Sequence, residues 1–232
     1  MIRSWLAGLL KHAAPGAVLL VSVLTLAALR RRLRLARTRV FWPVTLGIYQ
    51  AAGLKDCDAW IQHGSTSIMT HSLAVAYVSF SLAVLLGRRR HLPELIRAAL
   101  LHDYFLYDWH DKNNGHRWHG FFHPRVALQN AETRFTLSRR EANAILRHMF
   151  PLTPIPPIYT EGWLITLADK LCSSYETLIR HKPYPRLQAR IKRLQSLAVR
   201  QDQARAAAGS TPRAAGPKGR FSERLPWAMC QT

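Results

Sequence analysis

The spacing of apolar residues predicts a helical domain in the middle of the chain. From residue 44 to residue 180, apolar side chains recur three and four positions apart, and no stretch sustains the alternation of a half-buried strand. Capping residues and prolines divide this region into predicted helices over 67–86, 93–103, 138–148 and 160–179. The prolines between residues 151 and 157 exclude helix there. We therefore predict an all-α fold.

Residues 13–29 form an uncharged apolar run that six arginines follow at once. The run contains 17 residues, slightly fewer than the roughly 20 that a helix needs to cross a hydrocarbon core. It is therefore either a short membrane anchor or a buried helix whose end the arginines cap. A cleaved signal peptide is disfavoured, since no clean small-x-small site precedes the arginines. If the run spans a bilayer, the arginines hold the rest of the chain in the cytoplasm. They are Arg30, Arg31, Arg32, Arg34, Arg37 and Arg39.

The net charge of +20 is concentrated at the two ends of the chain. Residues 1–55 carry nine Lys/Arg and no acid, and residues 180–232 carry twelve Lys/Arg against two acids, whereas residues 56–179 carry twelve against eleven. Binding to nucleic acid or anionic lipid is thus a hypothesis about the ends only. We predict three segments. An apolar helix with its Arg-rich continuation occupies 1–43, a helical domain 44–182, and a basic amphipathic segment leading into a disordered tail 183–232.

Cysteine and histidine are used very differently in this sequence. Cys57, Cys172 and Cys230 are widely spaced and form no C-x-x-C pair, which argues against a disulfide framework or a thiolate zinc site and for a reducing compartment. By contrast, eight of the eleven histidines fall within residues 63–123. This crowding requires a chemical explanation.

Four predicted helices each bring a titratable residue to an apolar face or end. His102 and Asp103 close the apolar stretch of residues 95–101, whereas a second pair, His110-Asp111, lies in a polar loop. Asp169 shares its helix face with apolar neighbours, so its carboxylate needs a metal ion or an arginine as partner. His71 and His148 have similar settings. A hydrogen-bonded core histidine is the ordinary alternative for each one alone.

This order of residues resembles the HD-domain superfamily of metal-dependent phosphohydrolases. The family pattern is a His, then a His-Asp pair, then a distant Asp, all on helices, and here it reads Thr70-His71-Ser72, Leu101-His102-Asp103 and Ala168-Asp169-Lys170. The resemblance covers about residues 60–180 and implies an HD helical bundle. It also indicates a six-ligand, two-metal type. The HD-GYP subgroup is disfavoured, because His148-Met149 stands where that subgroup usually has two successive histidines, and no Gly-Tyr-Pro signature occurs. The six-ligand set resembles that of small hydrolases that cleave diadenosine tetraphosphate.

The resemblance implies a ligand set for divalent transition metals, iron or manganese in the first place, and two ions in number. Asp103 would bridge them, His71, His102 and Asp169 would complete one site, and the remaining histidines would form the other. The six implied ligands are His71, His102, Asp103, His123, His148 and Asp169. An imidazole and carboxylate set suits such metals. Nearby candidates for phosphate contact are Lys112, Arg147 and Lys170, and His119 competes with His123 as ligand or protonates the leaving group.

The resulting hypothesis is a metal-dependent phosphohydrolase that cleaves a phosphoester or phosphoanhydride bond of a small phosphorylated molecule, a nucleotide in the first place. The alternative is a metal-retaining nucleotide sensor, or a regulatory protein whose basic ends bind nucleic acid or anionic lipid, with little turnover. Aromatic residues are few in residues 183–232, which disfavours single-stranded nucleic acid. We expect a cytoplasmic protein, with residues 13–39 as its attachment to the inner membrane face in the anchored case.

Overall fold

Within the residues that the structure describes, the regular secondary structure is helical apart from one small two-stranded sheet. The computed structural model describes the backbone of residues 2–52, 61–63, 65–105, 119–179 and 184–207. In chain order its elements are α1 (Ile2–Ala36), a π-helical turn (Arg37–Phe41), α2 (Trp42–Ala52), β1 (Ile61–His63), β2 (Thr66–Ser67), α3 (Ile68–Leu85), α4 (Leu92–Leu101), α5 (His119–Glu132), α6 (Arg139–Arg147), α7 (Thr160–Leu178) and α8 (Pro185–Ala207). The predicted all-α fold is confirmed.

Capping side chains begin two helices where the sequence predicts. Ser67 caps α3, its hydroxyl accepting a hydrogen bond from the Thr70 backbone N–H at 3.2 Å. Ser138 and Glu141 form a capping box at α6, in which the Ser138 hydroxyl accepts from the Glu141 N–H and the Glu141 carboxylate accepts from the Ser138 N–H. Each cap satisfies backbone donors that a helix start leaves without an intrahelical partner. The caps therefore fix where α3 and α6 enter the core.

The core of the domain surrounds α3. This helix packs against α4 and α7, and α6 packs against α4 and α7 in turn. Length and composition would also admit α3 as a membrane span, but 72% of Ile68–Leu85 is buried inside the protein. The buried face includes Leu73, Val75 and Phe80 as well as His71. We therefore assign α3 as the core helix that brings His71 to the interior of the bundle.

Two local features differ from the sequence-based expectation. The antiparallel pair of β1 and β2 was not predicted, because strands of three and two residues are too short to show alternation. The His123-Pro124 step, where a proline is typical of a helix start, lies inside α5, which begins at His119. Pro124 lacks only the N–H that would reach the Gly120 carbonyl, in the second turn of the helix.

The chain divides into two compact units, Met1–Ala189 and Arg190–Thr232, with the division inside α8. α8 lies in the predicted basic amphipathic segment, whose assignment as a separate segment stays a prediction. The predicted boundaries at residues 43 and 182 stay predictions. The predicted tail beyond residue 207 and the predicted loop at residues 107–115 lie outside the described residues.

Candidate metal centre

His71 lies in the first turn of α3 and is fully buried. Its Nδ1 lies 2.9 Å from Oε2 of Glu176, a fully buried carboxylate on α7, so the Nδ1–H donates to that oxygen. This contact turns Nε2 toward the centre of the bundle, where it lies 3.2 Å from Oδ1 of Asp169 and 3.5 Å from Oδ2 of Asp103. One ring nitrogen is thus held by the protein and the other faces two carboxylates.

The end of α4 delivers the His-Asp pair. His102 caps the helix, and its Nδ1–H donates to the Ala99 carbonyl at 2.8 Å, which fixes the ring and leaves Nε2 directed inward. That Nε2 lies 3.3 Å from Oδ2 of Asp103 and 3.9 Å from Oδ1 of Asp169. All three side chains are buried. The helix end therefore places adjacent residues of the sequence in one cluster.

Two further histidines approach Asp103 from its other side. His148 caps α6, and its Nδ1–H donates to the Ile145 carbonyl at 2.8 Å. Its Nε2 lies 3.6 Å from Oδ1 of Asp103, and Nε2 of His123, from α5, lies 3.1 Å from the same oxygen. The two Nε2 atoms are 2.9 Å apart. Both lone pairs can therefore converge on one cation.

Asp103 divides the cluster into two adjoining groups of ligand atoms. Its Oδ2 faces His71 and His102, and its Oδ1 faces His123 and His148. Within the described residues, ligand atoms that lie within 4.8 Å of one another form two groups, His71 with His102 and Asp169, and His102 with Asp103 and His148. The structure thus brings all six sequence-predicted ligands together from five helices or helix ends.

The pKa values show that the cluster stabilises positive charge. Burial alone lowers the pKa of His71, but hydrogen bonds to Asp169 and Glu176 outweigh burial and raise it to about 10. Burial would raise the pKa of Asp169 and Asp103, yet contacts with the surrounding histidines lower both. The carboxylates remain ionised and hold a proton on His71. A divalent cation would meet the same negative environment.

The donor set fits a divalent transition metal. Burial lowers the pKa of His102 to about 4, so its imidazole is neutral and can act as a ligand. Within the part of the chain that the structure describes, His102 Nε2 and Asp103 Oδ1 are buried without a well-directed hydrogen bond, and the polar atoms beside them are other ligand atoms of the cluster. Such groups cost several kcal/mol unless a ligand or a cation compensates. Imidazole nitrogens and carboxylate oxygens are typical ligands of iron, manganese and zinc.

Comparison with known proteins agrees with this geometry. Residues 68–174 match the family model described as HD domain, and these residues include all six ligands. Residues 68–174 are an HD domain. HD domains are metal-dependent phosphohydrolases as a class, and the buried His/Asp cluster is compatible with that chemistry. No curated protein and no solved structure matches the chain.

One predicted phosphate-contact residue, Lys170, lies beside the cluster of six ligands. Nζ of Lys170 is 3.1 Å from Oδ2 of Asp169, and its side chain is 42% exposed, so the ammonium connects the buried carboxylate with solvent. The expected partner of Asp169 was a metal ion or an arginine, and the protein groups found are His71, Lys170 and the Ser173 hydroxyl, which donates to Oδ1 at 3.1 Å.

Of the other predicted contact residues, the structure describes the side chain of Arg147 alone. Arg147 ends α6 and is half-buried, and none of the contacts recorded for the described residues joins its guanidinium to the ligands. Lys112 and the second pair, His110-Asp111, lie outside the described residues. His119 is the first residue of α5, and its side chain also lies outside them. Their proposed roles stay predictions, as does the preference for His123 over His119.

The structure adds two buried polar residues that the sequence reasoning missed. Glu176 lies seven residues after Asp169, two helical turns along the same face of α7. This spacing indicates that Glu176 faces the interior as Asp169 does, so the sequence alone contained a signal for it. Gln62 lies on β1, is 4% exposed, and donates from Nε2 to Oδ2 of Asp103 at 2.6 Å. No sequence pattern singles out Gln62, because its position depends on the irregular pairing of β1 with β2.

Proposed function

We propose that the HD domain hydrolyses a phosphoester or phosphoanhydride bond in a small phosphorylated molecule, with a nucleotide as the leading substrate class. The observation that carries the proposal is Asp103, whose two carboxylate oxygens face two separate groups of histidines. A bridging carboxylate between nitrogen-rich groups is typical of binuclear sites. Such sites favour attack of water on phosphorus without a protein nucleophile.

Two metal ions are the proposed cofactors, iron or manganese in the first place. His71, His102 and Asp169 would hold one ion and His123 with His148 the other, while Asp103 belongs to both. When bound, such ions lower the pKa of a water ligand and polarise the phosphoryl oxygens. The Nδ1–H bonds of His71, His102 and His148 fix three of the rings with Nε2 inward. These contacts reduce the reorganisation that ligand binding needs.

The protein groups around the cluster suit an anionic substrate. The Lys170 ammonium is partly exposed beside Asp169, where it can donate to a phosphoryl oxygen. Lys112 and Arg147 are further proposed contacts, and His119 is a proposed donor to the leaving group.

The apolar faces of α3 are mostly buried inside the protein, so this helix offers little apolar surface to a membrane. We propose a cytoplasmic reaction, which agrees with the wide spacing of the three cysteines and the lack of a C-x-x-C pair in the sequence.

Metal stoichiometry tests the binuclear site directly. We expect about two metal ions per chain when the protein is purified without an affinity metal column and reconstituted with manganese or iron. The same preparation is then screened for phosphate release over nucleoside phosphates, dinucleoside polyphosphates and simple phosphate esters. About one ion per chain would contradict the two-metal assignment and leave the group of His71, His102, Asp103 and Asp169. Two ions without phosphate release from any substrate class would favour the sensor alternative.

Replacing Lys170 with alanine tests the proposed phosphate contact. We expect kcat/KM to fall about 10- to 100-fold, the effect of losing one charge-assisted hydrogen bond. Metal content should stay unchanged, because the six ligands remain. Lys192→Ala, an exposed lysine on α8, is the matched control and should leave kcat/KM unchanged. Equal losses of metal and activity in Lys170→Ala would show instead that the ammonium positions Asp169.

A further inference from the structure

Residues 17–28 of α1 present apolar side chains to the outside on every face of the helix. Every residue from 17 to 28 is exposed, and the consecutive residues Val18, Leu19, Leu20 and Val21 are each 59–66% exposed. Four consecutive residues exceed one helical turn, so they point in all directions around the axis. Val23, Leu24 and Leu26 continue the surface at 48–59% exposure. A helix that is apolar all round requires an apolar environment.

The two hydroxyl residues of this exposed stretch are already satisfied within the helix. The Ser22 hydroxyl donates to the Val18 carbonyl at 2.8 Å, and the Thr25 hydroxyl donates to the Val21 carbonyl at 2.7 Å. Hydrocarbon tolerates polar groups only when they are hydrogen-bonded internally. The stretch can therefore enter lipid without leaving a side-chain donor unpaired.

Positive charge begins where the apolar run ends. Arg30, Arg31, Arg32, Arg34 and Arg39 are exposed, whereas no acidic residue occurs before residue 56. Such a cluster complements the anionic lipid headgroups of a cytoplasmic membrane face. A helix lying in the plane of the interface would need a polar face along its length, and residues 17–28 have none. The arrangement of apolar run and charge thus fits a span.

We propose that α1 crosses a lipid bilayer through residues 13–29, with the arginines and the HD domain on the cytoplasmic side. The apolar run is about 25 Å long at 1.5 Å per residue, against about 30 Å of hydrocarbon. Arg30, an exposed long side chain at the end of the run, can extend to the headgroups, and local thinning of the bilayer accommodates the remaining difference. The excess of arginines after the run, against Arg3 and Lys11 before it, sets the orientation.

The proposed anchor is joined to the HD domain without a flexible linker. α1 continues through the π-helical turn into α2. Phe41 in that turn is fully buried and packs edge-on against Tyr77, with ring centroids 5.5 Å apart, and against Phe80 at 5.2 Å. Arg37 donates to the Tyr77 hydroxyl. Because Tyr77 and Phe80 belong to α3, which also carries His71, the anchor would hold the metal centre near the membrane surface.

Flotation of the full-length protein with bacterial membranes tests the span. We expect the chain to float with the membranes in a density gradient, to resist high salt and alkaline carbonate, and to dissolve only in detergent. Release by high salt would overturn the span in favour of surface attachment. Recovery as a soluble monomer, or as a soluble dimer paired through α1, would overturn membrane binding altogether.

A double variant tests whether flotation requires insertion of the apolar run into the bilayer. Leu20→Arg with Leu24→Arg places two charges in the centre of the run, and we expect the floating fraction to fall at least about tenfold. Both side chains are exposed, so the circular dichroism and the melting of the HD domain should be unchanged. Leu86→Arg, at an exposed position after α3, is the matched control and should float like the wild type. Equal flotation of the double variant would overturn the proposal.

A reporter that is active only outside the cytoplasm tests the orientation. Fused after Thr232, it should be inactive, because the arginines hold that side of the span in the cytoplasm. The same reporter placed before Met1 should be active. Activity of the C-terminal fusion alone would overturn the assigned orientation. None of these measurements depends on phosphate release, so they stand apart from the proposed hydrolase activity.

Discussion

Replacing Asp103 with alanine is expected to abolish phosphate release, with a loss of at least about 10³-fold. Changing a partner that only orients a metal ligand costs about 10- to 100-fold in metal affinity or activity, and a carboxylate shared by both ligand groups should cost more. Alanine removes the oxygen facing His71 and His102 and the oxygen facing His123 and His148 together. The carboxylates of Asp169 and Glu176 then remain beside the four imidazoles, and Glu176 contacts only the Nδ1 of His71 among the atoms described. Metal content and initial rates of phosphate release measure the effect.

Two companion variants make this result specific. Asp103→Asn keeps the size of the side chain and the Gln62 neighbourhood, so it should fold even if alanine leaves a damaging cavity, and it should also lose metal and activity. Asp111→Ala changes the second His-Asp pair of the sequence, which lies outside the described residues, and should retain most activity. Equal losses in folded Asp103→Asn and Asp111→Ala would mean that both pairs take part in the chemistry.

The ligand set could be predicted from the sequence because the relevant signals are local. His102 and Asp103 end an apolar helix, and Asp169 has apolar neighbours one turn away on either side. Burial of such groups is readable from helical periodicity, and their cost when buried points to a shared partner. The distances that divide the cluster around Asp103 are not local. They depend on how α4, α5, α6 and α7 pack together, which no residue spacing reports.

The partners of the ligands were harder to predict for the same reason. Gln62 reaches Asp103 across 41 residues of sequence, from a strand of three residues with an irregular register. Glu176 reaches His71 across 105 residues, and only its spacing from Asp169 hints at an inward position. A glutamate on a helix is ordinarily a solvated residue. Only the contact with His71 separates a buried positioning residue from a surface charge.

Replacing Glu176 with leucine is therefore the second decisive change, and we expect metal affinity to fall about 10- to 100-fold. In the wild type, Oε2 of Glu176 accepts the Nδ1–H of His71 at 2.9 Å, with both side chains fully buried. This bond fixes the ring so that Nε2 faces Asp169 and Asp103. Leucine removes the acceptor, frees the ring to rotate and withdraws the negative charge that makes His71 a stronger donor to a cation. Titration of the apoprotein with manganese measures the dissociation constant.

Glutamine at the same position distinguishes positioning from packing. Its side-chain carbonyl can still accept the Nδ1–H, so Glu176→Gln should retain more metal affinity than Glu176→Leu, while losing the part that depends on charge. Glu161→Leu, on the same helix in a partly exposed ion pair with Arg140, is the matched control and should leave metal affinity unchanged. If folded Glu176→Leu bound metal as tightly as the wild type, the carboxylate would serve packing alone. The expected order of affinities, wild type above Gln and Gln above Leu, follows only if the hydrogen bond to His71 orients a metal ligand.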